Sequence, residues 1–301
     1  MKLFSKKRIA VLCVVCLFVC MVSGFTTPAA GVDSGVSAAS AIVTTAASLQ
    51  SAENTAPVYI NGIKAADGVN FNGAVYLAIV DFFDAACIRT SIVPDDETDV
   101  LTVTSDDLIL TAADGQKYVT INGRCFYVPD GLQKIDDKPA LPVATLAVSL
   151  GYTVAWDAQT NSVSLTAEDA VPLEPAATYY NAEDLSCLSH LINAEAGNQP
   201  MEGKIAVGNV VLNRVADPTC PDTIHDVVFD NRYGVQFSVV TTGGIYAEPN
   251  EESVAAAKAC LEGANVVGNA LYFVNPTLAS SKWFDQTRTF IATIGEHDFY
   301  A

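Results

Sequence analysis

The spacing of apolar residues changes period once along this chain, and that change limits how it can fold. From Val58 to Thr166 apolar and polar residues alternate in short runs such as Val100-Leu101-Thr102-Val103-Thr104, the two-residue period of half-buried strands. From Asp184 onward Leu185, Leu188, Leu191 and Ile192 recur at steps of three and four, the period of a helix with one buried face. Between the patterns, AEDAVPLEPAATYYN carries two prolines and no period, so a linker is expected over residues 168–181. A chain of 301 residues, half of them apolar, can bury more than one core, and two domains are expected, over 57–167 and 182–301.

Lys2, Lys6, Lys7 and Arg8 precede an apolar run from Ile9 to Val22, and small residues follow at Ser23, Gly24, Ala29 and Ala30. The run falls short of the roughly 20 residues that span a bilayer, so residues 1–24 read as a signal peptide and the chain as secreted. Membrane contact is expected only through that peptide, if it stays uncleaved. Residues 25–56, rich in Ala, Ser, Thr, Val and Gly, read as a flexible linker. The formal charge of −18 deepens by four when the basic leader is removed, because no acid leaves with it. Such a surface repels phosphate backbones and anionic lipid, which excludes nucleic acid as a partner class. Beyond the leader remain Cys87, Cys125, Cys187, Cys220 and Cys260, an odd set with no CxxC spacing. That is neither a disulfide framework nor a zinc site; one bridge among the last three and buried free thiols both stay open.

The first region repeats itself. Val58-Tyr59-Ile60-Asn61-Gly62 is answered by Val119-Thr120-Ile121-Asn122-Gly123. Each copy continues into a short helix, over Ala78–Cys87 and Leu146–Leu150, and then a strand, over Val100–Thr104 and Val163–Thr166. Asp157–Asn161 reads as a hairpin turn. Together with Leu150-Gly151-Tyr152-Thr153-Val154-Ala155-Trp156-Asp157, this pattern resembles the copper amine oxidase N-terminal-like domain over residues 57–167, a small α+β domain with an internal pseudo-repeat. Copper is not carried over, because the stretch has no histidine and only two cysteines. The acidic run Asp95–Asp99 lacks the glycine and distal glutamate of a calcium loop and reads as a solvated turn.

In the second region Glu195 continues the Leu188, Leu191, Ile192 face, so a carboxyl is aimed toward the core. Gly197 and Asn198, both tolerant of left-handed backbone, are expected to stop the helix. A carboxyl so placed is ion-paired with Arg214, or simply reaches solvent at the helix end, or has its pKa raised by desolvation, the condition of a general acid. The context is specific. Ala194-Glu195-Ala196, Pro200, Glu202-Gly203, Val210-Val211-Leu212-Asn213-Arg214-Val215, Gln236-Phe237-Ser238, Ala270-Leu271-Tyr272-Phe273, Asn275-Pro276, Trp283 and Ile294-Gly295 with His297 and Phe299 resemble, in order, the SleB-type cell wall hydrolases.

The resemblance covers residues 184–300. It implies a lysozyme-like α+β catalytic domain that cuts the MurNAc–GlcNAc bond of peptidoglycan by the lytic transglycosylase route, in cell wall or spore cortex, with Glu195 as catalytic acid. Gln199, Gln236, Ser238, Tyr272, Asn275 and Trp283 are the residues expected to bind substrate, with Phe273 and Phe284 as further candidates for stacking on sugars. The expected partner is the glycan strand, and neither a cofactor nor a metal is expected. Distant second carboxylates are Glu202, Asp217 and Asp222. His190, His225 and His297 are scattered and build no metal or nucleophile motif. The family usually has a second glutamate where this chain has Gln199, which keeps hydrogen bonding and loses charge. That departure keeps open a non-catalytic wall-binding protein, beside hydrolase or amidase action, and leads to the expectation that Gln199→Glu leaves activity equal or higher.

Overall fold

A computed structural model describes residues 48–49, 54–95, 97–168, 170–171, 173–278 and 287–301. The expected signal peptide, most of the expected linker over 25–56, Trp283 and Phe284 lie outside the described residues. In chain order the first elements are β1 (Ser48–Leu49), β2 (Thr55–Ile60), β3 (Ile63–Phe71), β4 (Ala74–Ala78), α1 (Ile79–Ala85), β5 (Ser91–Asp95), β6 (Val100–Ser105), β7 (Leu108–Ala113), β8 (Tyr118–Ile121) and β9 (Arg124–Tyr127). Then come β10 (Gln133–Ile135), β11 (Lys138–Pro142), α2 (Val143–Ser149), β12 (Thr153–Asp157), β13 (Ser162–Thr166), α3 (Ala176–Tyr179), α4 (Ala182–Ala196) and α5 (Met201–Ala216). The remainder is α6 (Ile224–Val228), α7 (Ser238–Thr242), a 3-10 turn over Gly244–Tyr246, α8 (Glu251–Leu261), β14 (Tyr272–Val274), β15 (Phe290–Ile294) and β16 (His297–Tyr300). The chain is of the mixed α+β class.

Packing divides it into two units, one reaching Ile92 and resuming over Asp130–Val171, the other holding Val93–Pro129 and everything from residue 172 on. Residues 93–129, inside the stretch that the sequence suggests is one domain, therefore count with the second unit.

The first unit is built on a sheet ordered β1-β10-β11-β4-β3-β2-β13-β12. β4 runs straight into α1 and β11 into α2, and these helices bury Ile79, Phe82, Phe83 and Leu146. The repeat is visible in its turns: Asn61-Gly62 and Asn122-Gly123 all have positive φ, as a two-residue hairpin turn of the right twist requires. The hairpin after each helix pairs with the opening strand of the other copy. β13 lies parallel to β2, and β7 antiparallel to β8.

The second unit contains the meander β5-β6-β7-β8-β9, a helical core and the small antiparallel sheet β14-β16-β15. α4, α5 and α8 pack mutually. Their apolar faces, with Leu188, Leu191, Ile192, Ile205, Val207, Val211, Ala256 and Ala259, form one fully buried cluster.

Candidate active site

α4 begins two residues earlier than the apolar spacing suggests, because the Asn181 side chain caps it by accepting the backbone N–H groups of Glu183 at 2.9 Å and Asp184 at 3.1 Å. Leu188, Leu191, Ile192 and Ala196 are fully buried, and Glu195 ends their face half-buried. Its carboxyl has neither an ion pair nor a hydrogen bond within the described residues, and burial alone pushes its pKa above the ordinary value of 4.5. The negative end of the helix dipole, where it sits, acts in the same direction.

Arg214, the alternative ion-pair partner, is elsewhere engaged. Its Nε donates to the Leu271 carbonyl at 2.8 Å, its Nη1 reaches Gln236 Oε1 at 3.5 Å, and the guanidinium lies 5.2 Å from the Phe237 ring centre and 5.5 Å from that of Tyr272.

The turn after Glu195 is held from several sides. Gly197 is right-handed at φ −59°, contrary to the expectation of a left-handed stop. A glycine is needed there for a different reason: a Cβ would stand 2.5 Å from the Asn193 carbonyl oxygen. Asn193 Oδ1 accepts the Asn250 backbone N–H at 3.1 Å, and Asn250 Nδ2 donates to the Gly197 carbonyl at 3.2 Å. Lys204, only 2% exposed, donates Nζ to the Gln199 carbonyl and to Glu252 Oε2 at 2.8 Å.

Gln199 is itself buried. Its Oε1 accepts the Glu296 backbone N–H at 3.0 Å, and its Nε2 donates to Asn198 Oδ1 and Glu296 Oε2, each at 3.2 Å. Its amide thus fastens the turn between β15 and β16.

The residues expected to bind substrate fall into two groups. Gln199 lies in the turn between the end of α4, which carries Glu195, and the start of α5; Gln236 and Tyr272 meet Arg214 in the last turn of α5. Lys204 and Arg214 are ten residues apart, about 15 Å along the helix. Gln236 is exposed and folds back onto the Gly234 carbonyl at 2.9 Å, while exposed Ser238 opens α7. Asn275 Oδ1 accepts both the backbone N–H of Thr277 at 3.0 Å and its hydroxyl at 2.6 Å, which makes a turn.

Of the other carboxylates, burial opposes ionisation of Glu202, but the Lys117 ammonium and the Tyr127 hydroxyl outweigh it and hold the pKa below the usual range. Asp217 is lowered by the Thr219 hydroxyl and backbone N–H. His297 is buried edge-on to Phe273 at 5.3 Å, and burial lowers its pKa. Among the described residues no group of three His, Cys, Asp or Glu could hold a metal ion, and the five described cysteines are free.

The sequence reading missed Lys204 and Asn193. Lys204 could have been found by its spacing, since Val207, Gly208 and Val211 share its helix face and all are core.

Residues 198–300 match the family model described as Cell Wall Hydrolase. That match lies wholly within the second unit. Glu195 falls just ahead of that match, so its placement rests on the geometry of α4. Residues 59–165 match the copper amine oxidase N-terminal domain. The spore cortex-lytic enzyme of Bacillus cereus is 38% identical to this chain over 120 residues, 40% of this chain and 45% of that protein. The spore cortex-lytic enzyme of Bacillus subtilis is 33% identical over 132 residues, 44% of this chain and 42% of its own length. The chain thus spans less than half the length of these curated relatives. The solved catalytic domain of the germination-specific lytic transglycosylase SleB from Bacillus anthracis is 35% identical, covering 41% of this chain and 98% of that domain at a TM-score of 0.37.

Proposed function

We propose that this chain is an exported, wall-associated enzyme that cuts the MurNAc–GlcNAc bond of peptidoglycan by the lytic transglycosylase route. The observation that carries the reading is Glu195: a half-buried carboxyl at the end of a leucine face, with no partner among the described residues and a raised pKa. A carboxyl whose pKa is raised holds its proton more firmly than an exposed one and can give it to a leaving oxygen. As carboxylate it then takes the proton of the MurNAc C6 hydroxyl, whose oxygen attacks C1 and closes a 1,6-anhydro ring. One acid suffices for both transfers, which suits a site where Glu202 is held by Lys117 and Tyr127 and Asp217 by Thr219. A hydrolytic pair would need a second carboxylate across the sugar.

The relatives' names support a peptidoglycan substrate, and the basic, apolar leader supports export. Gln236, Ser238, Tyr272, Asn275 and Trp283 are proposed to bind the glycan, with Gln199 shaping the turn beside the acid.

The test is product analysis by mass spectrometry after incubating the full chain with peptidoglycan. Muropeptides ending in 1,6-anhydro-MurNAc are expected. New reducing ends would replace the transglycosylase step with hydrolysis, and intact glycan would favour the wall-binding alternative. Stem peptides released in a chelator-sensitive way would mean amidase action.

A further inference from the structure

We propose that the sheet formed by residues 93–129 is a built-in brace of the hydrolase unit, clamped by Arg124 and Glu262, and that it steadies the turn following Glu195. The hydrolase match begins only at residue 198, and this sheet lies inside the other match, over 59–165. Its side chains nevertheless complete the helical core. Arg124, at the start of β9, makes a two-pronged pair with Glu262, Nε to Oε1 at 2.7 Å and Nη2 to Oε2 at 2.6 Å. The two side chains are 7% and 3% exposed, and the guanidinium stacks 3.4 Å over the Tyr179 ring. Tyr180 donates its hydroxyl to Glu262 Oε1 at 2.6 Å.

Glu262 caps the C-terminus of α8, where the helix dipole disfavours an anion. Buried there without Arg124 it would be an unpaired charge, one of the most destabilising arrangements a fold can hold. Its presence is therefore explained only with the sheet docked. Two further contacts agree: Lys258 of α8 donates to the Gly123 carbonyl at 2.9 Å, and fully buried Cys125 belongs to the same core cluster as Leu188, Ile192 and Cys260.

At its other end the sheet reaches the catalytic turn. Lys117 and Tyr127 both bind Glu202 in the first turn of α5, and α5 supplies Lys204 to the Gln199 carbonyl. The sheet thus restrains the start of the helix that closes the turn after Glu195. This physical coupling is independent of the chemistry proposed for Glu195; only its value to catalysis rests on that reading.

Hydrogen exchange of the full chain in rising urea tests the brace without reference to activity. Amides of residues 100–127 are expected to lose protection in one step with those of α4 and α5. Opening of 100–127 together with 55–78, while the helices stay protected, would overturn the proposal. Glu262→Gln is expected to shift the unfolding equilibrium of the hydrolase unit on the order of 10²- to 10³-fold, and Glu262→Gln with Arg124→Met by less than the product of the two single effects. Independent effects would remove the clamp. If either variant fails to fold, the wild-type exchange pattern still decides. For the turn, Lys117→Met with Tyr127→Phe should speed exchange at residues 197–204 roughly tenfold, and unchanged rates there would sink the steadying role.

Discussion

Gln199 Oε1 accepts the backbone N–H of Glu296 at 3.0 Å, and this contact joins the turn after α4 to the β15–β16 hairpin. The same amide points Nε2 at the Glu296 carboxylate, 3.2 Å away. Position 199 therefore suits a neutral side chain that both donates and accepts.

Gln199→Glu should lower stability, a separate quantity from the activity that the sequence-based expectation concerns. It removes a donor and sets two carboxylates face to face in a partly buried site, at a cost of about 1–3 kcal/mol at neutral pH. Glu296→Gln in the same chain should restore most of the loss. Urea melts of the wild type, the single and the double variant measure it; a fully stable Gln199→Glu protein would mean the turn is held otherwise.

Glu195→Gln should reduce glycan cleavage by about 10²- to 10⁴-fold, the range of a lost general acid. It should also stabilise the fold at pH 7. Because burial raises the Glu195 pKa above 4.5, the native state holds a proton between that value and the raised one that the unfolded chain has released. Stability from this group is present at low pH and lost as pH rises through the window. Thermal unfolding should show the variant's advantage at pH 7 disappearing below about pH 4, and an advantage independent of pH would contradict the sign.

Gly295→Ala should destabilise through both backbone and side chain. Gly295 is left-handed at φ +59°, worth about 1–2 kcal/mol for a residue with a Cβ. The added carbon would also stand 2.2 Å from Gln199 Oε1. The variant's urea midpoint, with its slope unchanged, is the measurement.

Lys204→Met should cost about 1–3 kcal/mol by leaving the Gln199 carbonyl without its donor. Glu252, the other partner, is 62% exposed and regains water, while the buried Lys204 ammonium keeps the Gln199 carbonyl and an amide oxygen at position 252, so Glu252→Gln should cost less than Lys204→Met. Denaturation of both variants distinguishes the two bonds. Equal losses would mean the ion pair, and not the carbonyl bond, holds the lysine.

What the sequence disclosed was local. The change of period separated strands from helices, the repeated Asn-Gly segments marked the internal duplication, and Glu195 could be placed by counting back to Leu188. What it hid depends on distant partners. Gln199 meets a residue 97 positions away, and Arg124 one 138 positions away. Alternation says which side of a strand is buried and leaves open what buries it, so β8 and β9 could not be assigned to the second unit from their pattern. Gly197 was misread because a glycine required for close approach looks, in sequence, like one required for a left-handed turn.

The traded hairpins of the repeat leave neither copy self-sufficient. Cutting between them would strip β2 and β8 of their outer neighbours and leave rows of unpaired amides and carbonyls, a template on which chains add to one another. Half of such a duplicated module is therefore expected to seed aggregation.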